Sequence, residues 1–353
     1  MKRVCFRFVF VFLGLLLGFF LAEVTCKFLD LHAARQYRRV SERISRPSRI
    51  PDVRFELIPG ASGVTPDQTE AIRVNRFGFR GPEIEKAKPS GVYRIAVLGD
   101  SIAFGRTLKE AAVFPYQLPV LLKEQFPERS FEIINASLSG RDTWEEVALL
   151  EHRVLELAPD LVIIQVCLND HIRFPPPDPR RTRGAFGERA WYTYSSLLDL
   201  LGRQFPAFRK WHVATATRLG FDMRSPPKVL EEYALDIQYI HDTETNWPLW
   251  HREFLRANEL CRARGVDFMI AVFPTARLLG EKQPQTIPAL TELAHEHNIP
   301  LVDLIHAYQK SGTSLLQDYT HPTAAGQRLA AEVIAEAIAQ DFLALETPSG
   351  EGE

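Results

Sequence analysis

Beyond Tyr93 the chain alternates between short unbroken apolar runs and longer stretches with apolar residues every three or four positions. Arg94-Ile95-Ala96-Val97-Leu98, closed by Gly99, reads as a strand buried on both faces. Val113 to Gln125 follows with helical spacing, Phe131 to Asn135 is a second strand, and Thr143 to Leu157 a second helix. Leu161 to Val166, opened by Pro159-Asp160, is a third strand, almost wholly β-branched or apolar. After a long interruption the alternation resumes with helix Leu249 to Arg264, strand Val266 to Phe273 and helix Ile287 to His297. A short strand from Pro300 to Leu304 and a helix from Pro322 to Phe342 complete it. Apolar runs of this kind suit parallel strands covered by helices on both faces. Five of them predict a three-layer α/β/α domain with a parallel five-stranded sheet. In such sheets chemistry collects at the carboxyl ends of the strands.

The N-terminus breaks this pattern. Lys2, Arg3 and Arg7 precede an apolar run from Phe8 to Ala22, which Glu23 ends. Extended back through Val4 to Phe6, with Arg7 snorkelling, the segment approaches the ~20 residues that cross a bilayer. Glu23-Val24-Thr25 before Cys26 makes a poor lipoprotein box, and no A-x-A pattern follows. Residues 1–26 are therefore expected to be an uncleaved signal anchor, a transmembrane helix. Lys27, Arg35, Arg38, Arg39 and Arg43 lie beyond it and oppose the N-terminal charges. Long domains cross largely regardless of such charge, and a first segment with a basic start usually enters N-terminus inward. That predicts a single-pass membrane protein with an extracytoplasmic catalytic domain.

Composition adds exclusions. The 353 residues are 46% hydrophobic and 24% charged, an ordinary globular balance. A formal net charge of -2 argues against a nucleic-acid partner, which needs a basic surface. The four cysteines form no framework, and His295 and His297 point to different faces of one helix, so neither a metal nor another cofactor is implied. The expected organisation is an anchor at 1–26, a stalk and lead-in at 27–90, the α/β domain at 91–343 and a disordered tail at 344–353. Residues 171–246, with Pro175-Pro176-Pro177 and a basic run from Arg180 to Arg183, interrupt the domain as a lid-like insertion or a loop. Amphipathic pieces lie within it at Tyr194 to Leu201 and Val229 to Ile240.

Three strand ends carry residues suited to chemistry. The first is Gly99-Asp100-Ser101-Ile102-Ala103-Phe104-Gly105, where a serine directly after a buried strand is held at the sheet edge. The second is Ala136-Ser137-Leu138-Ser139-Gly140, and the third Cys167-Leu168-Asn169-Asp170, whose Asn169 amide can donate to an anion. Near the C-terminus, Asp318-Tyr319-Thr320-His321 sets a carboxylate and an imidazole three residues apart before a helix. Each signal alone has a bland reading: Gly140 as a turn glycine, Asn169 as a turn cap, Asp318 and His321 as a surface turn and a helix cap. Their joint placement, each after a strand that a shared site requires, favours chemistry.

On these blocks the sequence resembles the SGNH/GDSL serine hydrolase superfamily, from about Ile95 to Ile338. Gly99 to Gly105 matches its G-D-S-x-x-x-G block, Gly140 its lone glycine, and Asp318 to His321 its D-x-x-H block. Leu168-Asn169-Asp170 matches G-x-N-D except that Cys167 replaces the glycine. Asn75 to Pro82 also looks like the approach to the first block in membrane-anchored bacterial members. The resemblance implies a flavodoxin-like α/β/α fold and a catalytic triad of Ser101, His321 and Asp318. It also implies an oxyanion hole of Ser101 N–H, Gly140 N–H and the Asn169 amide, with Gly99, Asp100, Gly105 and Asp170 in support. The expected activity is ester hydrolysis on an ester-bearing small molecule or an envelope glycan. An O-acyltransferase with the same triad, or a silent glycan-binding module, are the alternatives.

Overall fold

The structure, a computed structural model, describes residues 2–29, 44–64, 71–105, 107–167, 249–275, 286–311, 313–318 and 320–344, with isolated positions at 197, 200, 201, 205 and 279. Helix α1 (Lys2–Phe28) opens the chain. Its stretch Phe10–Phe28 has 19 residues and a mean hydropathy of 1.9, and Phe10, Leu15, Leu17 and Phe20 stand exposed along it. At ~1.5 Å per residue that stretch is about as long as a bilayer core is thick. It has the length and composition of a membrane span or of a signal sequence. Residues 1–42 group with 179–235 in one unit, in which a Glu23 carboxylate oxygen accepts the Leu197 N–H at 2.9 Å.

Residues 43–178 and 236–353 form the second unit. It begins with two antiparallel pairs that the sequence did not announce: β1 (Ser45–Pro47) with β2 (Phe55–Leu57), and β3 (Ser62–Val64) with β4 (Ala71–Arg73). Asn75 then closes a tight turn. Its Oδ1 accepts the N–H groups of Phe77 (3.0 Å) and Phe79 (3.1 Å), and its Nδ2 donates to the Pro82 carbonyl (3.1 Å). The turn delivers Arg80 to the sheet, where it bridges antiparallel to Asn135.

The five apolar runs form one parallel sheet of β5 (Val92–Leu98), β6 (Ser130–Asn135), β7 (Leu161–Val166), β8 (Asp267–Val272) and β9 (Leu301–Asp303). Its order is β6-β5-β7-β8-β9, with Ala96 paired to both Ile134 and Val162. Between the strands run α2 (Ser101–Phe104), α3 (Phe114–Gln125), α4 (Thr143–Leu149), α5 (249–262) and α6 (Thr286–Glu296), and α7 (Leu304–Ser311) and α8 (Ala324–Ile338) follow β9. Alternate strand residues feed two cores. Ala96, Leu98, Val162 and Ile164 pack with α4, α5 and α6, while Ile95, Val97, Leu161 and Ile163 pack with α3, α7 and α8. Each fully buried aliphatic side chain contributes ~1.5–3 kcal/mol, so the α/β/α sandwich follows from strands that are apolar on both faces. The chain leaves β5 for β6 on one side and returns to β7 on the other. The crevice beyond the carboxyl ends of β5 and β7 is thus the switch point where such sheets bind ligands.

Three local differences from the sequence reading have physical causes. The helix expected through Leu157 is α-helical only to Leu149, then continues as a π turn (Leu150–Val154) and a 3-10 turn (Leu155–Leu157). It stops at Ala158, whose φ of 50° takes it out of the helix before Pro159, a residue that disfavours α conformation in its predecessor. Helix α7 starts directly from β9 because Asp303 Oδ1 accepts the Ile305 N–H at 2.8 Å. Helix α8 begins at Ala324 because Thr323 caps it, its hydroxyl accepting the Gly326 N–H.

Candidate active site

The first strand end is locked before any side chain reaches the surface. Gly99 sits so close to Gln165 that a Cβ there would lie 2.5 Å from Gln165 Oε1. That oxygen accepts the N–H groups of Asp100 (3.2 Å) and Ala103 (3.3 Å). Asp100, fully buried, caps α2 by accepting the Ile102 N–H at 2.8 Å. Gly105 ends α2 in the left-handed region at φ 69°, where a side chain would also collide with Val113. Ser101 therefore opens a four-residue helix at the head of the crevice. The Ile102 and Ala103 N–H groups are taken, whereas the first N–H of a helix has no acceptor inside it.

The other half of the site is a short hairpin between Leu315 and Thr323. Gln317 N–H donates to the His321 carbonyl (2.7 Å) and Thr323 N–H to the Leu315 carbonyl (2.7 Å). Asp318 sits at its tip and accepts the N–H groups of Thr320 (3.0 Å) and His321 (2.9 Å) on Oδ1. Both of its oxygens lie 2.9 Å from His321 Nδ1, and His321 Nε2 lies 2.8 Å from Ser101 Oγ. A carboxylate offers only acceptors, so Nδ1 carries the proton and Nε2 is the lone pair facing the serine. Burial alone would push the Asp318 carboxyl up. The hydrogen bond and charge of His321, with the two backbone N–H groups, outweigh it and hold that carboxyl well below the usual range.

The second loop, after β6, is tied to both the sheet and the first loop. Ala136 N–H donates to the Val97 carbonyl (2.8 Å) and Leu138 N–H to the Gly99 carbonyl (3.1 Å). Gly140 is exposed, with φ 77°. Its carbonyl accepts from Arg54 Nη2 (2.6 Å), and the same guanidinium pairs with Glu145 (2.5 Å). Glu145 and Asp142 form the capping box that starts α4. Deeper lies Glu146, fully buried, with neither carboxyl oxygen hydrogen-bonded. Burial, and then the neighbouring Asp100, push its pKa well above the ordinary carboxylate value.

The structure thus brings Ser101, His321 and Asp318 into one hydrogen-bonded chain, with Gly99, Asp100 and Gly105 shaping the loop that holds the serine. Asn169 and Asp170 lie outside the described residues, as does most of the 171–246 insertion. Cys167, the departure from the glycine pattern, is buried, and its sulfur lies 3.1 Å from the hydroxyl of Thr320, which stands between Asp318 and His321 in the sequence. Sequence reading missed the polar residues that hold the first loop from behind. Gln327 Nε2 donates to the Ile102 carbonyl (3.0 Å), Asn135 Nδ2 to that of Ala103 (2.8 Å), and Arg80 Nη1 to those of Phe104 and Gly105. For Arg80 alone there was a signal, its place in the Asn75 to Pro82 block.

The model of the GDSL-like lipase/acylhydrolase family matches residues 97–329. An arylesterase of Vibrio mimicus is 36% identical over 84 residues, which are 24% of this chain and 41% of that protein. The likeness to that relative spans less than half of its length. Among solved structures, an acetylxylan esterase from Geobacillus stearothermophilus aligns with 70% of this chain and 94% of its own at 16% identity and a TM-score of 0.42. A member of the lipolytic G-D-S-L family from Veillonella parvula aligns with 70% of this chain and 99% of its own at 14% identity and a TM-score of 0.41.

Proposed function

The chain belongs to the GDSL-like lipase/acylhydrolase family, and from that premise we propose that it is a serine-dependent ester hydrolase, a carboxylesterase or O-deacetylase, working through an acyl-serine intermediate. The observation that carries this reading is the unbroken chain from Ser101 Oγ through His321 to Asp318, at 2.8 and 2.9 Å. A serine hydroxyl attacks an ester only when a base takes its proton, and the Nε2 lone pair is within reach to do so. Ser101 Oγ bonds to the ester carbonyl carbon as its proton passes to His321. The imidazolium then protonates the departing alkoxide, and an alcohol leaves. Water attacks the acyl-serine, gives its proton to His321, and the acid is released as the Ser101 hydroxyl is restored. Asp318 holds the ring in the required tautomer and stabilises the imidazolium.

Negative charge on the carbonyl oxygen is met by the N–H groups of Ser101 and Gly140 and by the Asn169 amide, each typically worth ~3 kcal/mol in the transition state. The helix length and apolar surface of α1 support membrane attachment, and its basic start supports an extracytoplasmic catalytic unit. An envelope glycan ester is then the substrate class within reach of the anchored enzyme.

The test is labelling of the full-length chain in membrane fractions with a fluorophosphonate, alongside hydrolysis of phenyl acetate, a choice prompted by the arylesterase likeness. We expect both in the wild type and neither in Ser101→Ala, with an unchanged melting temperature. Labelling that persists would move the nucleophile, with Ser137 and Ser139 the next candidates, and labelling confined to the soluble fraction would remove the anchor. Sidedness is read by alkaline phosphatase fused after residue 60, expected active. An inactive fusion would show that the basic cluster from Arg35 to Arg43 sets the orientation.

A further inference from the structure

Helix α2 is four residues long, far too short to hold itself. Its N-terminal end is fixed by Asp100 and Gln165, but the carbonyl of Phe104, its last residue, would be an orphan without outside donors. Arg80 supplies them from the lead-in segment, which precedes the family match at residues 97–329. One guanidinium nitrogen donates to the carbonyls of Phe104 and Gly105, the latter at 2.7 Å, and the other to that of Leu108 at 2.9 Å. The guanidinium also lies 5.1 Å from the centre of the Phe104 ring, a cation–π contact.

Arg80 is 1% exposed, and burial lowers its pKa. A buried cation is costly unless something is gained by it, and here its partners are carbonyl dipoles at the end of the nucleophile helix. The backbone around it is equally constrained. The Arg80 carbonyl accepts from the Tyr116 hydroxyl (2.6 Å), and Gly81 next to it leaves no room for a side chain, since a Cβ would lie 2.7 Å from that hydroxyl. The same segment also reaches the second loop, through Arg54 on the Gly140 carbonyl.

We propose that Arg80 is a positioning residue for catalysis, which sets the place of Ser101 against His321 by holding the far end of α2. The proposal rests on Ser101 being the nucleophile. It adds the lead-in segment to the catalytic apparatus. A planar guanidinium presents several donors in a fixed fork, which suits three carbonyls fanned around one point, whereas an ammonium is a point charge on a flexible stem. A misplacement of ~1 Å between reacting groups can cost about 10²-fold in rate.

The experiment is steady-state hydrolysis of phenyl acetate by full-length wild type, Arg80→Lys and Arg80→Met, with melting temperatures measured alongside. We expect kcat to fall about 10²-fold in Arg80→Met and about tenfold in Arg80→Lys, with KM within threefold in both, because Arg80 touches backbone and not the crevice. A folded Arg80→Met protein with a lowered melting temperature and wild-type kcat would overturn the proposal and leave Arg80 a stability residue. Should Arg80→Met fail to fold, Arg80→Lys decides alone: an unchanged kcat overturns the proposal, and a loss confined to kcat supports it. The two readings fail separately. Activity lost in Ser101→Ala but intact in both Arg80 variants removes only the positioning role, whereas wild-type hydrolysis that survives Ser101→Ala removes both.

Discussion

The Ser101 loop and the Asp318–His321 hairpin meet at the 2.8 Å contact of Ser101 Oγ with His321 Nε2, with Thr107 Oγ1 donating to Gln317 Oε1 just beyond the loop, yet they are held by largely opposite means. In the hairpin, Gln317, Asp318, Thr320, His321 and Thr323 bond to one another's backbones or to Leu315, all neighbours in sequence. In the loop, the carbonyls of Ile102, Ala103 and Phe104 take their donors from side chains 225, 32 and 24 positions away. A hairpin satisfies its own backbone by pairing, whereas a four-residue helix leaves most of its polar groups to others. His321 therefore arrives in a prebuilt turn, and Ser101, the proposed nucleophile, is placed by the rest of the fold. Substitutions far from the crevice should act through Ser101, and those within the hairpin should act through chemistry more than through stability.

The sharpest test of that contrast is Asp318→Asn. An asparagine carbonyl can still accept the N–H groups of Thr320 and His321, so the hairpin should survive, with a melting temperature lowered by the lost charge. Its NH2 group, in place of the second carboxylate oxygen, donates to Nδ1 and carries no charge, so it favours the tautomer with the proton on Nε2, and kcat should fall by about 10⁴. Stability adds a pH signature. The Asp318 carboxyl is held well below its unfolded range, so its stabilising contribution is fully present above about pH 5 and is lost only as pH falls toward its depressed folded value. Thermal melts of wild type and variant should accordingly differ by a constant amount from pH 5 to 8 and converge below about pH 4. A variant that unfolds at neutral pH would show that the hairpin depends on this charge. The Arg80 substitutions come next in size, at about 10² and tenfold, and probe the opposite case of a remote side chain acting on the loop.

The same contrast explains what could be read from the sequence. The sheet was legible because parallel strands buried on both faces must be apolar throughout, as Ile95 to Leu98 and Leu161 to Ile164 are. The motifs that carry Ser101, Asp318 and His321, which the structure brings into one hydrogen-bonded chain, stand out in the sequence because local turns impose local spacing. Asn135 and Gln327 were not, because each is a single polar residue that donates to a backbone carbonyl, and a carbonyl leaves no trace in sequence; Arg80 was marked only by its place in the Asn75 to Pro82 block. The three-residue strands β1 to β4 are too short to show alternation, and α7 follows β9 with no intervening turn signal.

The smallest expected effect belongs to Cys167, whose side chain reaches the hairpin from the end of β7. Its sulfur lies 3.1 Å from the Thr320 hydroxyl, in the position where the family pattern has glycine. If the hairpin is self-contained, this contact is packing and not positioning. Cys167→Gly would then lose a buried side chain and gain chain entropy in the unfolded state, together ~1–2 kcal/mol, while Asp318 and the Gln317 and Thr323 backbone bonds keep His321 in place. A drop of several degrees in melting temperature is expected, with kcat within threefold of wild type. Cys167→Ser, which can keep a hydrogen bond to Thr320, should recover part of that stability and leave kcat alone. A tenfold loss of kcat in Cys167→Gly, about 1.4 kcal/mol of barrier, with stability unchanged, would mean that the strand end steers the base. The division between a prebuilt turn and a placed Ser101 would then fail at Cys167, the only buried side chain described here that bonds to the hairpin from the end of a central strand.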